Sequence, residues 1–521
     1  MTARRKTLFF LLLILLLAYV LRIYKFNQTL KLDADVGMAY LIAERIIREK
    51  FLLLVGPTTS FGETVNIVPP TYYYLITFLY WLFRSDLVVT FIFMLMEVIS
   101  VYLIFLLGKI LDNTRTGLIS SLFYSTSSAM IGYSRHIWEP YRLPFFITLS
   151  FYLLFLSLKK NSGQLLLLSG FFYAVSLMYI SSFLVFPFFL ALFIYCSIKI
   201  NAGKSKIRSI FQFLLILFLF YSPVIFFESR NGFPFINFLS GFFNQDSNFI
   251  RLESGHFLNS LATHGELFLN SVFKTDSLTY LIPYLILPFV FLILNLRRIK
   301  TLNRKISVIL IMFSAGFLLT GFYGKAIYVH RLASLYPMFF IISAYPVTFL
   351  NRFLFRRSGL TGLLVFFIIM IPLSKYLISN SLAESNRMRN LSLYQKRYEG
   401  YFKVAEYILK SEGIINFNLF VMTPKDKIGY DTTSYYYALL KQSGINFADY
   451  NQAGNWIKVS PDYNKGWLYL ICKDYNNSDY SRQNDRCFEE FNNITRIKRS
   501  GYTEKKYILN DIIYKIDARE K

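Results

Sequence analysis

The sequence has few cysteines and few acidic residues, and both shortages narrow what the protein can be. Three cysteines in 521 residues are too few for a disulfide framework or a four-cysteine metal site, although Cys472 and Cys487 could still pair. Only 31 residues are acidic, against 56 Lys and Arg. Such a surplus would suit nucleic acid, but Lys and Arg fall mainly in short loops between apolar runs. The distribution therefore predicts a membrane topology and no nucleic-acid partner.

The chain also lacks an internal repeat, a low-complexity linker and a small-residue cleavage site after its first apolar run. Hydrophobic residues make up 55% of the chain. This fraction is outside the usual range for soluble domains. Many apolar runs reach the roughly 20 residues that a helix needs to cross a bilayer. The first run is long for a signal peptide, so we interpret it as a retained anchor. We therefore predict an all-α polytopic membrane protein.

About eleven transmembrane helices are predicted from these runs. They cover about residues 7–24, 87–108, 116–133, 141–158, 163–180, 182–200, 207–227, 278–296, 306–323, 331–350 and 359–379. Short cytoplasmic loops keep positive charges, so with the N-terminus in the cytoplasm every second loop should be basic. The loops assigned to that side do carry Lys and Arg: Lys109 and Arg115; Lys159 and Lys160; Lys199, Lys204, Lys206 and Arg208; residues 297–305; Arg352, Arg356 and Arg357.

One apolar segment, residues 71–83 (TYYYLITFLYWLF), is short for a crossing. Counting it as a span would place every later basic loop outside, so we predict a re-entrant or interfacial helix. This topology gives a multi-pass domain over residues 1–380 of the cell membrane, with outer loops at about 25–86 and 228–277. Residues 381–521 follow on the outer face. Their short alternating segments and one helical pattern predict a small extracytoplasmic α/β domain.

The first outer loop contains two acidic residues, Asp33 and Asp35, before a segment with helical spacing of apolar residues. The spacing predicts an amphipathic helix on the membrane surface. Asp35 would stand at the N-terminus of this helix, where a carboxylate caps free backbone N–H groups. Alternatively, it could act as a general base toward an acceptor hydroxyl or amine.

The run LDADVGMAYLIAERIIREKFLLLVGPTTSFGETVNIVPPTYYYLI resembles the start of membrane glycosyltransferases of the GT-C class, the protein mannosyltransferase and aminoarabinose transferase type. Those enzymes carry an acidic motif in this loop, a juxtamembrane helix and a PP-x-YY or GP-x-YYY segment, here Pro69 to Tyr74. The later stretch YSRHIWEPYRLPFF is similar to an S-R-x-I-W-N-P motif of one branch. The resemblance covers the first 160 residues well and implies the GT-C fold.

The resemblance implies transfer of a sugar from a polyprenyl-phosphate-linked donor to a lipid, glycan or protein acceptor on the outer face. It implies that Asp35 is the catalytic base, with Asp33 as the second candidate, and that Tyr73 lies among the substrate-binding residues. Relatives often have a second acidic residue or Gln after the aspartate, where this chain has Val36. No metal site is therefore predicted, and a divalent metal cofactor is left open.

Two polar groups at outer ends of spans are candidates for binding the donor phosphate. Arg135, His136 and Glu139 form the first, in which Arg135 offers several donors to phosphate oxygens. As an alternative, Arg135 reaches lipid headgroups or pairs with Glu139. The second is a cationic pair, His330 and Arg331, whose arginine could instead be an interface anchor.

Glu97 lies inside a predicted span, and an intramembrane charge is a candidate for function by default. The sequence names no partner for it. Our leading hypothesis is an enzyme whose Asp35 and Arg135 meet at the outer membrane boundary. The alternative is a polytopic transporter or flippase of lipid-linked sugars, which predicts ionisable residues near the midplane.

Overall fold

The computed structural model describes most of the membrane helices and the ordered elements of the C-terminal region. The described residues are 2–30, 32–56, 59–60, 64–65, 68–200, 205–237, 254–273, 304–322, 328–356, 375, 377–380, 382–383, 391–412, 417–422, 432–444, 467–472, 487–488, 491, 502–508 and 511–517. The predicted span 278–296 and most of 359–379 lie outside them.

Helices α1 to α13 follow the apolar pattern of the sequence. Their bounds are α1 Ala3–Ile23, α2 Ala34–Glu49, α3 Thr71–Phe83, α4 Asp86–Leu111, α5 Thr114–Thr126, α6 Ser128–Tyr133, α7 Leu143–Lys160, α8 Gly163–Ser176, α9 Phe186–Ile200, α10 Ser205–Arg230, α11 Ser254–Phe273, α12 Arg304–Gly321 and α13 Tyr336–Arg356. Within the described ranges, four helical segments are long and apolar enough to cross a membrane: Arg4–Ile23, Asp86–Leu111, Glu139–Lys160 and Ile207–Arg230. The chain is a membrane protein.

The predicted span 116–133 is wrong as one continuous helix, because the chain breaks at Ser127. This residue has extended backbone angles between α5 and α6. The break falls in a run of small hydroxyl residues, and Ser125 and Thr126 both donate their hydroxyls to Leu122 O. Such local bonds offer the backbone an alternative to the regular helix. The hydropathy pattern cannot predict this break, because hydroxyl residues also occur inside continuous membrane helices.

A second helix is also shorter than predicted. The span 163–180 ends as a helix at Ser176, and a 3₁₀ helix follows over Ile180–Leu184. Helix α9 then begins at Phe186. Further 3₁₀ helices lie at Phe26–Gln28, Glu139–Arg142 and Val329–Leu335, next to the ends of longer helices.

The described chain forms two compact units. The first contains residues 1–26, 54–72 and 90–389, and the second contains residues 27–53, 73–89 and 390–521. In the first unit, small side chains let helices approach closely. Ser150 of α7 and Ser169 of α8 each donate a hydroxyl to the other's backbone carbonyl at 2.8 Å. A Cβ on Gly117 of α5 would lie 2.4 Å from the backbone oxygen of Phe105 in α4, so only glycine fits there.

The second unit contains the α/β part of the chain. Helices α14, Leu391–Glu412, and α15, Thr432–Ser443, accompany strands β3 Phe417–Met422, β4 Trp467–Cys472, β5 Glu504–Ile508 and β6 Asp511–Asp517; β1 and β2 are the short pair Thr59–Ser60 and Thr64–Val65 of the first unit. The sheet order is β3-β4-β6-β5. Strands β3 and β4 are parallel, and the other pairs are antiparallel. The predicted α/β character of this region is confirmed.

Cys472, the last residue of β4, forms a disulfide with Cys487. Both cysteines are buried, and they pack with Phe488, Phe491 and Tyr514 in an apolar core beside the sheet. The disulfide therefore closes a loop of 15 residues onto the centre of the sheet.

We expect this disulfide to stabilise the second unit by about 3 kcal/mol, since it restricts a loop of that length in the unfolded chain. Cys472→Ser should therefore make residues 390–521 of the full-length protein markedly more sensitive to protease. Limited proteolysis followed by mass spectrometry measures this. Cys196→Ser is the control, because Cys196 is a free buried cysteine of α9. Equal sensitivity of both variants would contradict the prediction.

Candidate functional site

Asp33 is the N-cap of α2, and Asp35 is not. The Asp33 side chain accepts a hydrogen bond from the backbone N–H of Val36 at 3.2 Å. Asp35 lies in the first turn, where a negative charge is favoured by the helix dipole. The capping role considered for Asp35 therefore belongs to Asp33.

The apolar face of α2 is packed against protein of its own unit. Val36, Ala39 and Tyr40 are buried, and the Tyr40 ring stacks on Tyr437 of α15 with centroids 5.0 Å apart. The expectation that this face rests on lipid is wrong for these residues. They are apolar because a neighbouring helix of the same unit covers them.

The charged face of α2 also contains a buried residue. Glu44 is only 3% exposed, and its two carboxylate oxygens accept from Arg48 and from Arg84. Since a buried carboxylate is costly without partners, the two arginines compensate its charge. The sequence gives no sign of the pairing with Arg84, which is 40 residues away.

Tyr73 lies in α3, which forms as a 13-residue helix over the predicted segment. Its side chain is buried, and its carbonyl accepts the hydroxyl of Thr77 at 2.7 Å. The next tyrosine, Tyr74, donates to Leu53 O at 2.8 Å. In this way α3 is tied to the chain that follows α2.

In the first unit, Arg135, His136 and Glu139 lie in the chain between α6 and α7, which we call the α6–α7 turn (residues 134–142). All three side chains are buried. Arg135 donates from Nη2 to the backbone oxygen of Leu21 at 2.6 Å. The interpretation in which Arg135 reaches out to lipid headgroups is therefore wrong, because the guanidinium points to the end of α1.

Arg142 organises the α6–α7 turn from inside. It is fully buried, and Nη2 donates to the backbone oxygens of Tyr133 at 2.5 Å and His136 at 3.0 Å. Nη1 donates to Phe93 O of α4 at 3.1 Å. One guanidinium therefore fixes the turn that carries Arg135 and His136 onto a neighbouring helix.

Glu97 of α4 has partners that the sequence did not name. Its Oε2 accepts the hydroxyl of Tyr124 at 2.9 Å, and Arg142 and Arg22 act on it electrostatically. Arg22 is also fully buried and donates to Ser125 O at 3.0 Å. Two buried arginines therefore accompany one carboxylate, which gives this cluster a positive sum.

Sequence reasoning missed Arg142 and Arg22. Arg142 stands in the quoted stretch YSRHIWEPYRLPFF, and Arg22 lies near the end of the first apolar run. The available signal was the cost of a charge at membrane depth. Because such charges need partners, the two arginines and Glu97, which lie on three predicted spans, could have been predicted to interact.

His330 lies on the 3₁₀ helix Val329–Leu335 against aromatic rings. Its centroid is 4.4 Å from that of Trp138 and 5.5 Å from that of Tyr328. Burial lowers the pKa of His330 to about 3, and Arg331 and His136 add to the effect. Burial therefore favours the neutral imidazole of His330, and Arg331 supplies the positive charge of the predicted pair.

The structure thus brings two of the predicted groups together and assigns the others to the second unit. Within the first unit, the α6–α7 turn lies beside His330 through Trp138. Asp33, Asp35 and Tyr73 belong to the second unit. Across the described ranges, no group of three or more His, Cys, Asp or Glu could hold a metal ion. That Asp35 and Arg135 meet stays a prediction.

Residues 68–227 match the sequence model of the dolichyl-phosphate-mannose-protein mannosyltransferase family. The matched region contains both Pro69–Tyr74 and the α6–α7 turn. No curated protein sequence matches the chain.

Solved structures share the fold over most of the chain. ArnT from Cupriavidus metallidurans bound to undecaprenyl phosphate is 10% identical with a TM-score of 0.56, and the match covers 99% of this chain and 98% of that one. The apo state of the same protein is 9% identical with a TM-score of 0.57, and the match covers the same shares of the two chains. The archaeal oligosaccharyltransferase AglB from Archaeoglobus fulgidus, in complex with an inhibitory peptide and a dolichol-phosphate, is 12% identical with a TM-score of 0.52, covering 92% and 71%.

At these identities the structural likeness is one of fold. Together with the family match, it confirms the predicted fold class and the predicted resemblance to GT-C membrane glycosyltransferases of the protein mannosyltransferase and aminoarabinose transferase type.

Replacing Arg142 by Met should destabilise the protein by about 3 to 5 kcal/mol, because it leaves a buried carboxylate with less compensating charge. Arg142→Lys should fall between Met and the native residue, since Lys keeps the charge but not the planar set of donors. The thermal unfolding midpoint in detergent measures both. Arg115→Met is the control, as Arg115 is exposed. If Arg142→Met unfolds at the native temperature, the proposed role of Arg142 is wrong.

His330 should also leave a signature in the pH dependence of stability. The unfolded chain protonates this imidazole below about pH 6.5, whereas in the folded protein its pKa is about 3. Its contribution is therefore complete above pH 6.5 and is lost as the pH falls toward 3. When the pH is lowered from 7 to 5, the thermal unfolding midpoint of the His330→Gln variant should fall by less than that of the native protein. An equal or larger loss would contradict this.

Proposed function

We propose that this protein is a membrane glycosyltransferase that moves a sugar from a polyprenyl-phosphate donor to an acceptor on the outer face. The family match supports a transferase that uses a lipid-phosphate sugar. The structures of ArnT with undecaprenyl phosphate and of AglB with a dolichol-phosphate support a lipid phosphate as the ligand of this fold. The observation that carries the proposal is Asp35, a first-turn carboxylate that does not cap its helix, in the loop where these enzymes carry an acidic motif.

In the proposed reaction, Asp35 takes a proton from the acceptor hydroxyl or amine. The acceptor atom forms a bond to the sugar C1 while the bond from C1 to the phosphate oxygen breaks. The electron pair leaves with the polyprenyl phosphate, and the configuration at C1 is inverted. The donor and the acceptor are both at the headgroup level, which explains why an enzyme for this reaction needs a membrane fold.

The leaving phosphate gains negative charge, so cationic groups should bind it. We assign this role to Arg135 and Arg331, with His136 and the neutral His330 as hydrogen-bonding groups beside them. The two buried arginines, Arg22 and Arg142, carry more positive charge than Glu97 carries negative charge. This cluster therefore adds positive electrostatic potential near the α6–α7 turn. Glu139 and Tyr73 complete the proposed substrate-binding residues.

We also propose a topology for this function. Residues 1–380 form the transmembrane domain, with outer loops at about 25–86 and 228–277, and residues 381–521 form the extracytoplasmic domain. The N-terminus is cytoplasmic. The basic loops of the sequence support this orientation.

A transporter or flippase of lipid-linked sugars is the second candidate. Such a protein would use ionisable groups along its path through the membrane. Glu97 was the residue that favoured it. The hydrogen bond from Tyr124 and the electrostatic effect of Arg142 and Arg22 give Glu97 a structural task, and this favours the enzyme.

Asp35→Asn should abolish sugar transfer, whereas Asp33→Asn should retain most of it. Asn is as good an N-cap as Asp, so Asp33→Asn keeps α2 intact, while an amide at position 35 cannot take a proton. The measurement uses purified protein with undecaprenyl-phosphate hexoses and pentoses against lipid, glycan and peptide acceptors. We expect a loss of at least about 100-fold for Asp35→Asn, in the range of general-base catalysis.

Two outcomes would count against the proposal. Transfer by Asp35→Asn at the native rate with loss in Asp33→Asn would move the base to Asp33. Movement of the lipid-linked sugar across vesicle membranes without any acceptor, and with no transfer when an acceptor is added, would support the transporter instead.

A further inference from the structure

We propose that Thr433, at the start of α15, is a positioning residue for the catalytic carboxylate, so that the C-terminal domain is part of the catalytic unit. The inference rests on the proposed function and extends it to a residue about 400 positions away in the chain. All the contacts that carry it lie within the second unit.

The first contact is a hydrogen bond to the backbone between the two aspartates. Thr433 is buried, and its hydroxyl donates to the backbone oxygen of Ala34 at 2.7 Å. Ala34 is the first residue of α2 and lies between Asp33 and Asp35. A bond at this carbonyl fixes the backbone from which both carboxylates project.

The second contact is a close approach of two backbones. A Cβ on Gly37 of α2 would lie 2.8 Å from the backbone carbon and oxygen of Thr433, and 2.9 Å from the backbone nitrogen of Ser434. Neither backbone can move aside as a flexible side chain could. Gly37 is therefore required two residues after Asp35, because α15 occupies the space where a side chain would be.

Further contacts hold the same two helices along their length. Tyr40 stacks on Tyr437 with ring planes 21° apart. The Tyr40 hydroxyl donates to the backbone oxygen of Asp86 at 3.3 Å, and Lys441 pairs with the Asp86 carboxylate at 3.5 Å. The start of α2 is thus held on its buried side by α15 and by the first residue of α4.

A general base must be held close to the geometry of proton transfer, and a displacement of about 1 Å can cost 100-fold in rate. Asp33 alone cannot supply this precision, since a cap fixes the helix end but not the position of the helix. Packing against α15 does fix that position. The C-terminal region therefore contributes directly to the position of the proposed base.

The test compares two substitutions at Thr433 in the full-length protein. Thr433→Val keeps the volume but removes the donor to Ala34, and Thr433→Ser keeps the donor. We expect kcat of Thr433→Val to fall about tenfold, with KM for the lipid donor nearly unchanged, because the base is displaced while donor binding is not. Thr433→Ser should recover most of the native kcat.

A second pair of variants displaces α2 by a different route. Gly37→Ala puts a methyl group against the backbone of α15 and should lower kcat at least as much as Thr433→Val. Its control is Gly265→Ala in α11, where the added Cβ would meet only the Phe317 ring at 3.5 Å. Alanine favours a helix more than glycine does, so a loss of activity in Gly37→Ala cannot come from weakened helix formation.

Hydrogen exchange of the backbone amides in residues 34–41 reports on positioning without any substrate. We expect faster exchange there in Thr433→Val than in Thr433→Ser, at a similar global unfolding midpoint. Equal exchange, or equal kcat in the two variants, would overturn the positioning role. Absence of transfer by the native protein with every donor would instead contradict the proposed function, so the two failures are distinguishable.

Discussion

The direct packing of α15 on the first turns of α2 is a strict constraint on the second unit. It requires Gly37 to have no side chain, it covers the apolar face of α2 with Tyr437, and it sets a hydroxyl donor against Ala34 O. The segments joined in this way are far apart in sequence, since residues 27–53, 73–89 and 390–521 form one unit. A segment that the sequence predicts as a surface helix is therefore an integral part of a protein core.

The first unit depends on a different constraint, the cost of burying charge. Arg22, Glu97 and Arg142 are all fully buried, and each would be costly alone. Arg142 meets this cost by donating to three backbone oxygens: Phe93 O of α4, Tyr133 O at the end of α6 and His136 O in the α6–α7 turn. Arg142 therefore both compensates the charge of Glu97 and holds the α6–α7 turn in place. This explains how irregular backbone is tolerated between two apolar helices: the carbonyls that the helices leave open are satisfied by arginine.

The sequence predicted the elements well and their contacts poorly. Apolar runs located α1, α4, α7 and α10 to within a few residues, and alternation located β3 and β4, because periodicity is a local property. The helix break at Ser127 was not predicted because serine differs little from its neighbours in hydropathy. The partners of Glu97 could not be read from the sequence because they come from three different helices. The lowered pKa of His330 could not be read from it because burial is a property of the folded chain. The span count rests partly on residues outside those that the structure describes.

The candidate site repeats this pattern on a smaller scale. An acidic pair two residues apart pointed to the loop before α2, but only the hydrogen bonds of the folded chain distinguish the two aspartates. Asp33 accepts from Val36 N–H and is committed to the helix end. Asp35 follows in the first turn, where the helix dipole favours a negative charge. A capping aspartate that also took up protons would weaken its own cap at each turnover. Separate residues for the two tasks avoid that conflict, and this is the physical reason to assign proton transfer to Asp35.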